Sequence, residues 1–500
     1  MRKTRIGIIC DMHLPDNEAS PQFAFLQNAV AQMKKDNVDV VVCLGDITSY
    51  GEVKAWELYQ EALKDFVHYE VLGNSDVRDS KTREIMTAQV QAVEFAVGSR
   101  RVIGINTPDA EITEVDKVRL EAVHAGDIIF MHHYMESMKA ESGLWLKTLA
   151  ENVPVIILHG HGHRKFDYFI NASHVLGMRG LDPDKSIGAF PCINYLDVTD
   201  EEVTLKECLI SLPKAYLEET SRFFGLSCVD NFKDVAYATE HGIKYVELRC
   251  NGADWQADMT LLPVIETWRE KTDGYLSIHM PNLWYRNGKI TGKEKWLEAL
   301  EYAGAVGAKS LTIHPPRVRV ADMPADGAVW REFLELYVLV AKSVPADTQI
   351  GIENLHKNPT EELDEYRGFG YRPEEVSAWI DAINMELSKK RVGHVLDVGH
   401  ARNNGSFAQI YPSSKWYCLM GQKTIAYHIH QVIPGAEGLK NHNALENWFG
   451  PTINYTSFFY AWNQGILNHV PVFLEVKGSE NYEKSLKAFT KIMEETTWEA

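Results

Sequence analysis

The sequence predicts an α/β fold in two parts: a layered α/β domain over residues 1–212 and a (β/α)8 TIM barrel over residues 213–500. Three observations predict it. Short β-branched runs alternate with helical stretches along the whole chain, the signature of βαβ units. Near Leu212-Pro213 a set of plain strands gives way to eight regularly spaced βα units, in about the length that barrels of this kind take. Side chains able to bind metals fall at the ends of strand-sized runs, in two separate sets, one in each part.

In the first part, strands are expected at Arg5–Cys10, Val38–Leu44, His68–Leu72, Val102–Ile105, Ile128–Met131 and Val155–Leu158. Helical periodicity is read at Pro21–Lys35, Val53–Asp65, Thr82–Val97 and Glu141–Ala150. After His163 the helices stop, and Phe166–Ile170, Cys192–Asp197 and Glu202–Cys208 read as antiparallel strands closing the domain. In the second part, strands are expected at Phe224–Cys228, Tyr245–Leu248, Leu276–His279, Ser310–His314, Gln349–Glu353, His394–Asp397, Ala426–His430 and Val472–Val476. Helices such as Lys293–Val306, Val329–Ser343, Pro373–Leu387 and Tyr482–Glu495 separate most of them.

Bulk composition narrows the function. With 45% hydrophobic and 24% charged residues the chain has the make-up of a soluble globular protein, and its longest apolar runs are strand-sized. None approaches the roughly 18 residues of a membrane span. The first apolar run, Ile6–Cys10, is too short for a signal-peptide core, so a cytoplasmic location is expected. The seven cysteines are scattered and odd in number, as expected for reduced thiols. A net charge of −18 opposes a long polynucleotide partner, because non-specific affinity for phosphate backbones comes from Lys and Arg. A small phosphorylated or sugar-like substrate is expected instead, with no membrane partner; the sequence leaves the oligomeric state open.

The first ligand set is Asp11 and His13, Gly45-Asp46, Gly73-Asn74, His132, and Gly160-His161-Gly162-His163. Residues two apart at a strand end share a face, so Asp11 and His13 point the same way, as do His161 and His163. Carboxylate plus imidazole suits divalent manganese, iron or zinc. Block by block, over residues 1–210, this order resembles the calcineurin-like metallophosphoesterases. The resemblance implies two ions: Asp11, His13, Asp46 and His163 would hold one, and Asp46, Asn74, His132 and His161 the other. It also implies that Asn74 and His132 act at the reacting group. Two such ions polarise a phosphoryl group and activate the attacking water. Where many members have Gly-Asn-His-Asp, this chain has Gly73-Asn74-Ser75-Asp76. Members with a small residue there favour phosphodiesters or small phosphoesters. Either the leaving group needs little acid help, or His133 or His159 supplies it. Arg179 reads as a surface arginine, with a phosphate contact as the alternative.

The second set is His279, His314, Glu353, Asp397, His400, His430, His442 and Glu475, at or just after the ends of strands three to eight. Barrel enzymes build their sites there. Over residues 215–500 the chain resembles the xylose-isomerase-like barrels, in the branch shared by sugar-phosphate isomerases/epimerases and apurinic endonucleases. The resemblance implies Glu353, Asp397, His430 and Glu475 as the common ligands of zinc or manganese, one to three ions in all. Glu353 and Glu475 would exchange the substrate proton. Glu247 would orient substrate or close a polar ring. The endonucleases use a ninth ligand, an Asp two residues before His442, where this chain has Lys440. His428 is expected to face away from His430 and to be structural. Loops 281–288, with Trp284 and Arg286, and 315–321, with Arg317 and Arg319, would wall the pocket. The expected protein is a bifunctional metalloenzyme, a small-molecule phosphoesterase joined to an isomerase/epimerase-like barrel. The alternative is a nucleic-acid processing enzyme.

Overall fold

The computed structural model describes residues 3–252, 254–358, 361, 367–436 and 438–495, so the outermost ends of both expected domains lie outside the described residues. Contacts divide the chain into two compact units, one up to Leu212 and one from Pro213 on, with residues 454–457 counted with the first.

The first unit is a sandwich of two sheets. One runs Val203–Leu209, Cys192–Val198, Thr4–Ile9, Val40–Cys43, His68–Glu70 in spatial order. The other runs Val93–Val97, Arg100–Ile105, Ile128–Met131, Ile156–His159, Ser173–Gly177, Phe166–Ile170. Thr4–Ile9 lies parallel to Val40–Cys43 and antiparallel to Cys192–Val198. Between the sheets, Ile6, Ile8, Val42 and Leu196 of one meet Val102, Ile128, Phe130 and Leu158 of the other. On the outer face of the second sheet, Ile103, Ile129 and Ile157 pack on Leu120 and Leu146. These two residues belong to the helices Glu114–Glu121 and Ala140–Asn152. The helix Pro21–Lys35 begins where its signals say. The Ser20 hydroxyl accepts from the Phe23 N–H, Pro21 occupies the first turn, and Lys34 and Lys35 face the carbonyl end.

The expected helix over Thr82–Val97 is corrected. A helix covers only Arg83–Gln89, and Val93–Val97 forms a hairpin with Arg100–Ile105. Val93, Phe95 and Val97 recur with period two and lie on the core side, and Gly98, at φ +60°, makes the turn. Ser173–Gly177 and Glu114–Glu121 are further elements that the sequence reading did not single out.

The second unit is a closed barrel of eight parallel strands. They are Phe224–Ser227, Tyr245–Arg249, Tyr275–His279, Ser310–Ile313, Gln349–Glu353, Val392–Asp397, Thr424–Ile429 and Val472–Leu474, and the last pairs with the first. Around them lie helices such as Lys293–Ala305, Ala328–Ser343, Pro373–Glu386 and Ser479–Glu495. Two hairpins beyond the strand ends were not expected. One pairs Trp284–Arg286 with Lys289–Thr291, and the other pairs Gln431–Gly435 with Gly438–Asn443 and carries His442. Among the described residues no helix is long and apolar enough to cross a membrane, and all seven cysteines are free.

Candidate metal centres

In the first unit the seven expected ligands converge. His13 Nε2 lies 3.2 Å from Asp46 Oδ2, and His132 Nε2 lies 3.4 Å from Asp46 Oδ1. Asp46 therefore stands between two imidazoles, one on each oxygen. His132 Nε2 is also 3.2 Å from Asn74 Oδ1 and 3.1 Å from His161 Nδ1. Asp11 Oδ1 is 3.9 Å from His163 Nε2 and 4.0 Å from His132 Nδ1, and the His13 and His163 rings stack at 5.1 Å.

The backbone is bent to bring them there. Asp11, His13, Asp46, His161 and His163 all have φ between +46° and +63°. A non-glycine residue held in the left-handed region costs on the order of 1–3 kcal/mol and clusters at functional sites. Backbone donors secure the carboxylates. Ser75 N–H donates to Asp46 Oδ1 at 2.8 Å and His161 N–H to Asp11 Oδ1 at 3.0 Å. A Cβ at Gly73 would collide with the Asp46 carboxylate and its backbone nitrogen, so that position admits glycine alone.

The donor set fits divalent ions. His132 Nδ1 is 2.9 Å from the Leu44 carbonyl and donates to it, which turns Nε2 inward. There Nε2 meets Asn74 Oδ1 and His161 Nδ1, three electron-pair donors directed at one point. Asp11 Oδ2 is buried with no hydrogen-bond partner. Burial holds His161 down at about 4 and His163 well below its ordinary range, so both are neutral, as ligands must be. Burial also lowers His132, but the Asp46 and Asp11 carboxylates more than offset this and raise it to about 9. Burial raises the Asp46 carboxyl, and His132 and His13 override that and hold it well below the usual range. The negative field that favours a proton on His132 is the field that favours a cation.

Three further residues complete this picture. Asp182, which the sequence reading passed over, is buried with Oδ2 at 3.2 Å from His13 Nδ1, the carboxylate–imidazole arrangement that orients a ligand. His133 joins His132 and His161 within ligand range of one another, and burial holds it at about 3. His159 sits instead among Tyr134 and Phe166, outside the cluster. Arg179 is engaged by the Ile187 carbonyl and Glu207.

In the barrel all eight expected ligands also converge. Glu353 Oε2 is 3.1 Å from both His279 Nε2 and His314 Nε2, and Oε1 is 3.4 Å from His400 Nδ1. Asp397 lies 3.2 Å from His430 Nε2 and from His400 Nδ1. Glu475 Oε1 is 3.4 Å from His442 Nδ1, whose ring stacks on His430 at 4.6 Å. The Asn354 side chain clamps the backbone of Asp397 at both N–H and C=O, at 2.8 and 2.9 Å. A Cβ at Gly399 would overlap the His430 ring. Asp397 Oδ2, His430 Nε2 and Glu475 Oε2 are all buried within this cluster. Burial and its neighbours hold His400 well below the ordinary range, and burial holds His314 at about 4. Three carboxylates among imidazoles again fit divalent ions.

His428 corrects the sequence expectation. It precedes His430 by two residues, so both turn to the same face, into the barrel. Its Nε2 is 3.0 Å from Glu247 Oε1, and its Nδ1 is 3.3 Å from both Glu353 Oε1 and Glu475 Oε2. Burial lowers it, but the Glu247, Glu353 and Glu475 carboxylates raise it well above its ordinary value. Glu247 is therefore part of a polar ring at the barrel floor, where Ser277 and Thr312 donate to its other oxygen at 3.1 and 2.7 Å. Arg249, also missed, pairs with Glu475 Oε1. Lys440, at the departure from the nine-ligand pattern, is exposed on the Gly438–Asn443 strand.

Two inward-facing clusters, one on a sheet sandwich and one at the carboxyl end of a parallel barrel, define a chain of two metallohydrolase- and isomerase-type domains. Residues 4–187 match the calcineurin-like phosphoesterase family and residues 235–492 the xylose isomerase-like TIM barrel family. The chain belongs to the xylose isomerase-like TIM barrel family and carries a calcineurin-like phosphoesterase domain ahead of the barrel. No curated protein sequence matches it. Among solved structures, a dimetal phosphatase from Danio rerio is 13% identical, covering 41% of this chain and 95% of its own, with a TM-score of 0.33. A D-tagatose 3-epimerase-like protein is 17% identical, covering 54% and 98%, with a TM-score of 0.37. A xylose isomerase domain protein from Alicyclobacillus acidocaldarius is 15% identical, covering 54% and 96%, with a TM-score of 0.36.

Proposed function

We propose that the chain is a bifunctional metalloenzyme. Its first domain hydrolyses a phosphate monoester or diester of a small molecule, and its barrel isomerises or epimerises a sugar or sugar phosphate. The observation that carries this reading is the closure of two independent donor sets, each with its carboxylates and imidazoles within ligand distance of one another. Bound divalent ions, manganese, iron or zinc in the first centre and zinc or manganese in the second, supply a Lewis acid to each reaction.

The protein's own groups do the rest. In the first centre Asp11, His13, Asp46 and His163 would hold one ion, and Asp46, Asn74, His132 and His161 the other. The Ser75 side chain is 1% exposed and only its backbone N–H reaches the centre, so it supplies no proton to a leaving group. This favours esters whose leaving groups depart as stable anions. In the barrel, Glu353 and Glu475 flank one imidazole, each at 3.3 Å from His428 Nδ1. In the isomerase reading these two carboxylates exchange the substrate proton, one removing it from carbon and the other returning it. Burial raises the Glu475 carboxyl, but His442 and Arg249 override this and hold it well below the usual range, so it is ionised.

A second reading, phosphodiester cleavage at the barrel, is favoured by His279 and His314 both meeting Glu353 Oε2. Exposed Lys440 and the charge of −18 weigh against it. The test is a panel of aryl and alkyl phosphate mono- and diesters, sugars, sugar phosphates and abasic-site duplex DNA. The panel is run on the full-length chain with manganese or zinc, before and after chelation. Metal-dependent ester hydrolysis and sugar interconversion are expected. Nicking of the duplex without any sugar interconversion would replace the first reading with the second.

A further inference from the structure

Beside the barrel cluster lies a cavity of about 790 Å³ whose walls are the loops after the third, fourth and fifth barrel strands. It is a built site. Tyr285 N–H donates to the Arg317 carbonyl and Arg317 N–H to the Leu283 carbonyl, both at 3.0 Å, and Phe369 N–H donates to the Val318 carbonyl at 3.0 Å. Two guanidiniums open into it. Arg286 stands over the Trp284 ring at 4.2 Å and Arg317 over the same ring at 5.7 Å.

Among the described residues neither has an acidic partner. Several arginines elsewhere pair with carboxylates, among them Arg5 with Asp197, Arg101 with Glu94, Arg249 with Glu475 and Arg367 with Glu375. Among the described residues no salt bridge reaches Arg286 or Arg317. Arg317 gives one hydrogen bond, from Nε to Asn282 Oδ1 at 3.1 Å. Asn282 Oδ1 also accepts from His314 Nδ1 at 2.6 Å, so the Arg317 Nη2 atom 3.4 Å from that nitrogen faces a donor and gains no bond there. The two carboxylates in the same wall are engaged. Asp322 receives Arg319, and Glu361 receives the Asn358 N–H and the Tyr371 hydroxyl. In an acidic chain, two neighbouring guanidiniums on one aromatic ring, with no salt bridge among the described residues, form a receptor for a tetrahedral or planar oxyanion.

We propose that this cavity binds the phosphoryl group of a phosphorylated small molecule. Its uncharged end then extends past His314 to the barrel cluster, because His314 touches Arg317 on one ring nitrogen and Glu353 on the other. The substrate class of the barrel is thereby a sugar phosphate or similar polyol phosphate, an assignment that rests on the isomerase reading above.

The test measures binding, not turnover. Glucose 6-phosphate, gluconate, glucose and inorganic phosphate are each titrated calorimetrically into the chelated full-length chain, so that neither ion centre contributes. Glucose 6-phosphate and inorganic phosphate are expected to bind. R317Q is expected to weaken both at least tenfold, R286Q several-fold, and R317K to recover part of the loss; each variant is checked for an unchanged unfolding midpoint. R317Q and R286Q binding phosphate as the parent does would overturn the proposal. So would gluconate binding in preference to glucose 6-phosphate, which would make the group a carboxylate. Retained sugar interconversion in E353Q would sink the isomerase reading while leaving the anion site standing.

Discussion

Replacing His428 with leucine should destabilise the barrel far more than an ordinary core substitution. Among the described residues the imidazole is the ion-pair partner of Glu247 Oε1, at 3.0 Å, and its other nitrogen contacts both Glu353 and Glu475. All four side chains are at most 1% exposed. Leucine leaves the Glu247 carboxylate buried with its Ser277 and Thr312 donors but no counter-charge. Breaking a buried pair by removing one partner costs about 3–5 kcal/mol. For a domain of this size that corresponds to a fall of roughly 5–8 °C in the unfolding midpoint. The second substitution of a cycle, Glu247→Gln, removes the stranded charge. H428L/E247Q should therefore recover about 2 kcal/mol relative to the sum of the single changes. The assay is thermal and urea unfolding of chelated full-length protein, following the barrel transition by tryptophan fluorescence. A loss below 1 kcal/mol for H428L, or strictly additive single variants, would refute the reasoning.

Other consequences follow from the same geometry. Gly73→Ala drives a Cβ into Asp46, so metal affinity of the first centre should fall at least 10- to 100-fold, while barrel metal content stays unchanged in elemental analysis. Because Ser75 offers no acid, aryl phosphate esters should be hydrolysed about 10²–10⁴ times faster than alkyl ones; equal rates would show that another group protonates the leaving oxygen. Asp197 is nearly buried, and although burial raises its carboxyl, Arg5, Lys3 and Lys206 hold it below the ordinary range. A depressed carboxyl stabilises the fold above the unfolded-state value near 4 and loses that stability as pH falls through the folded one. Asp197→Asn should cost about 2 kcal/mol at pH 7 and flatten the decline in acid, read by denaturant unfolding between pH 7 and pH 3.

Both clusters were legible because metal ligands sit where strands end, and strand ends are marked by β-branched runs followed by glycine or a polar pair. Asp11-Met-His13 and His161-Gly-His163 announce themselves by period two. The barrel was legible from the spacing of its strands. Thr82–Val97 was misread because Val93, Phe95 and Val97 also satisfy part of a helical pattern, and only pairing with Arg100–Ile105 decides between the two. His428 was misassigned although its spacing from His430 already put both on one face. Asp182, Asn354 and Arg249 were invisible for another reason. Each acts on a ligand brought to it by the fold, as Arg249 meets Glu475 across 226 residues of chain, and nothing local marks such a partner.

The central claim is that one chain holds two independent metal-dependent activities. The most direct test is a crossed pair of charge-removing variants in the full-length protein, Asp46→Asn and Glu353→Gln, each assayed for ester hydrolysis, sugar-phosphate interconversion and bound metal. The account predicts that D46N abolishes hydrolysis and lowers metal content while interconversion continues, and that E353Q does the reverse. Both activities surviving in both variants, or both lost together in either one while it remains folded, would contradict it.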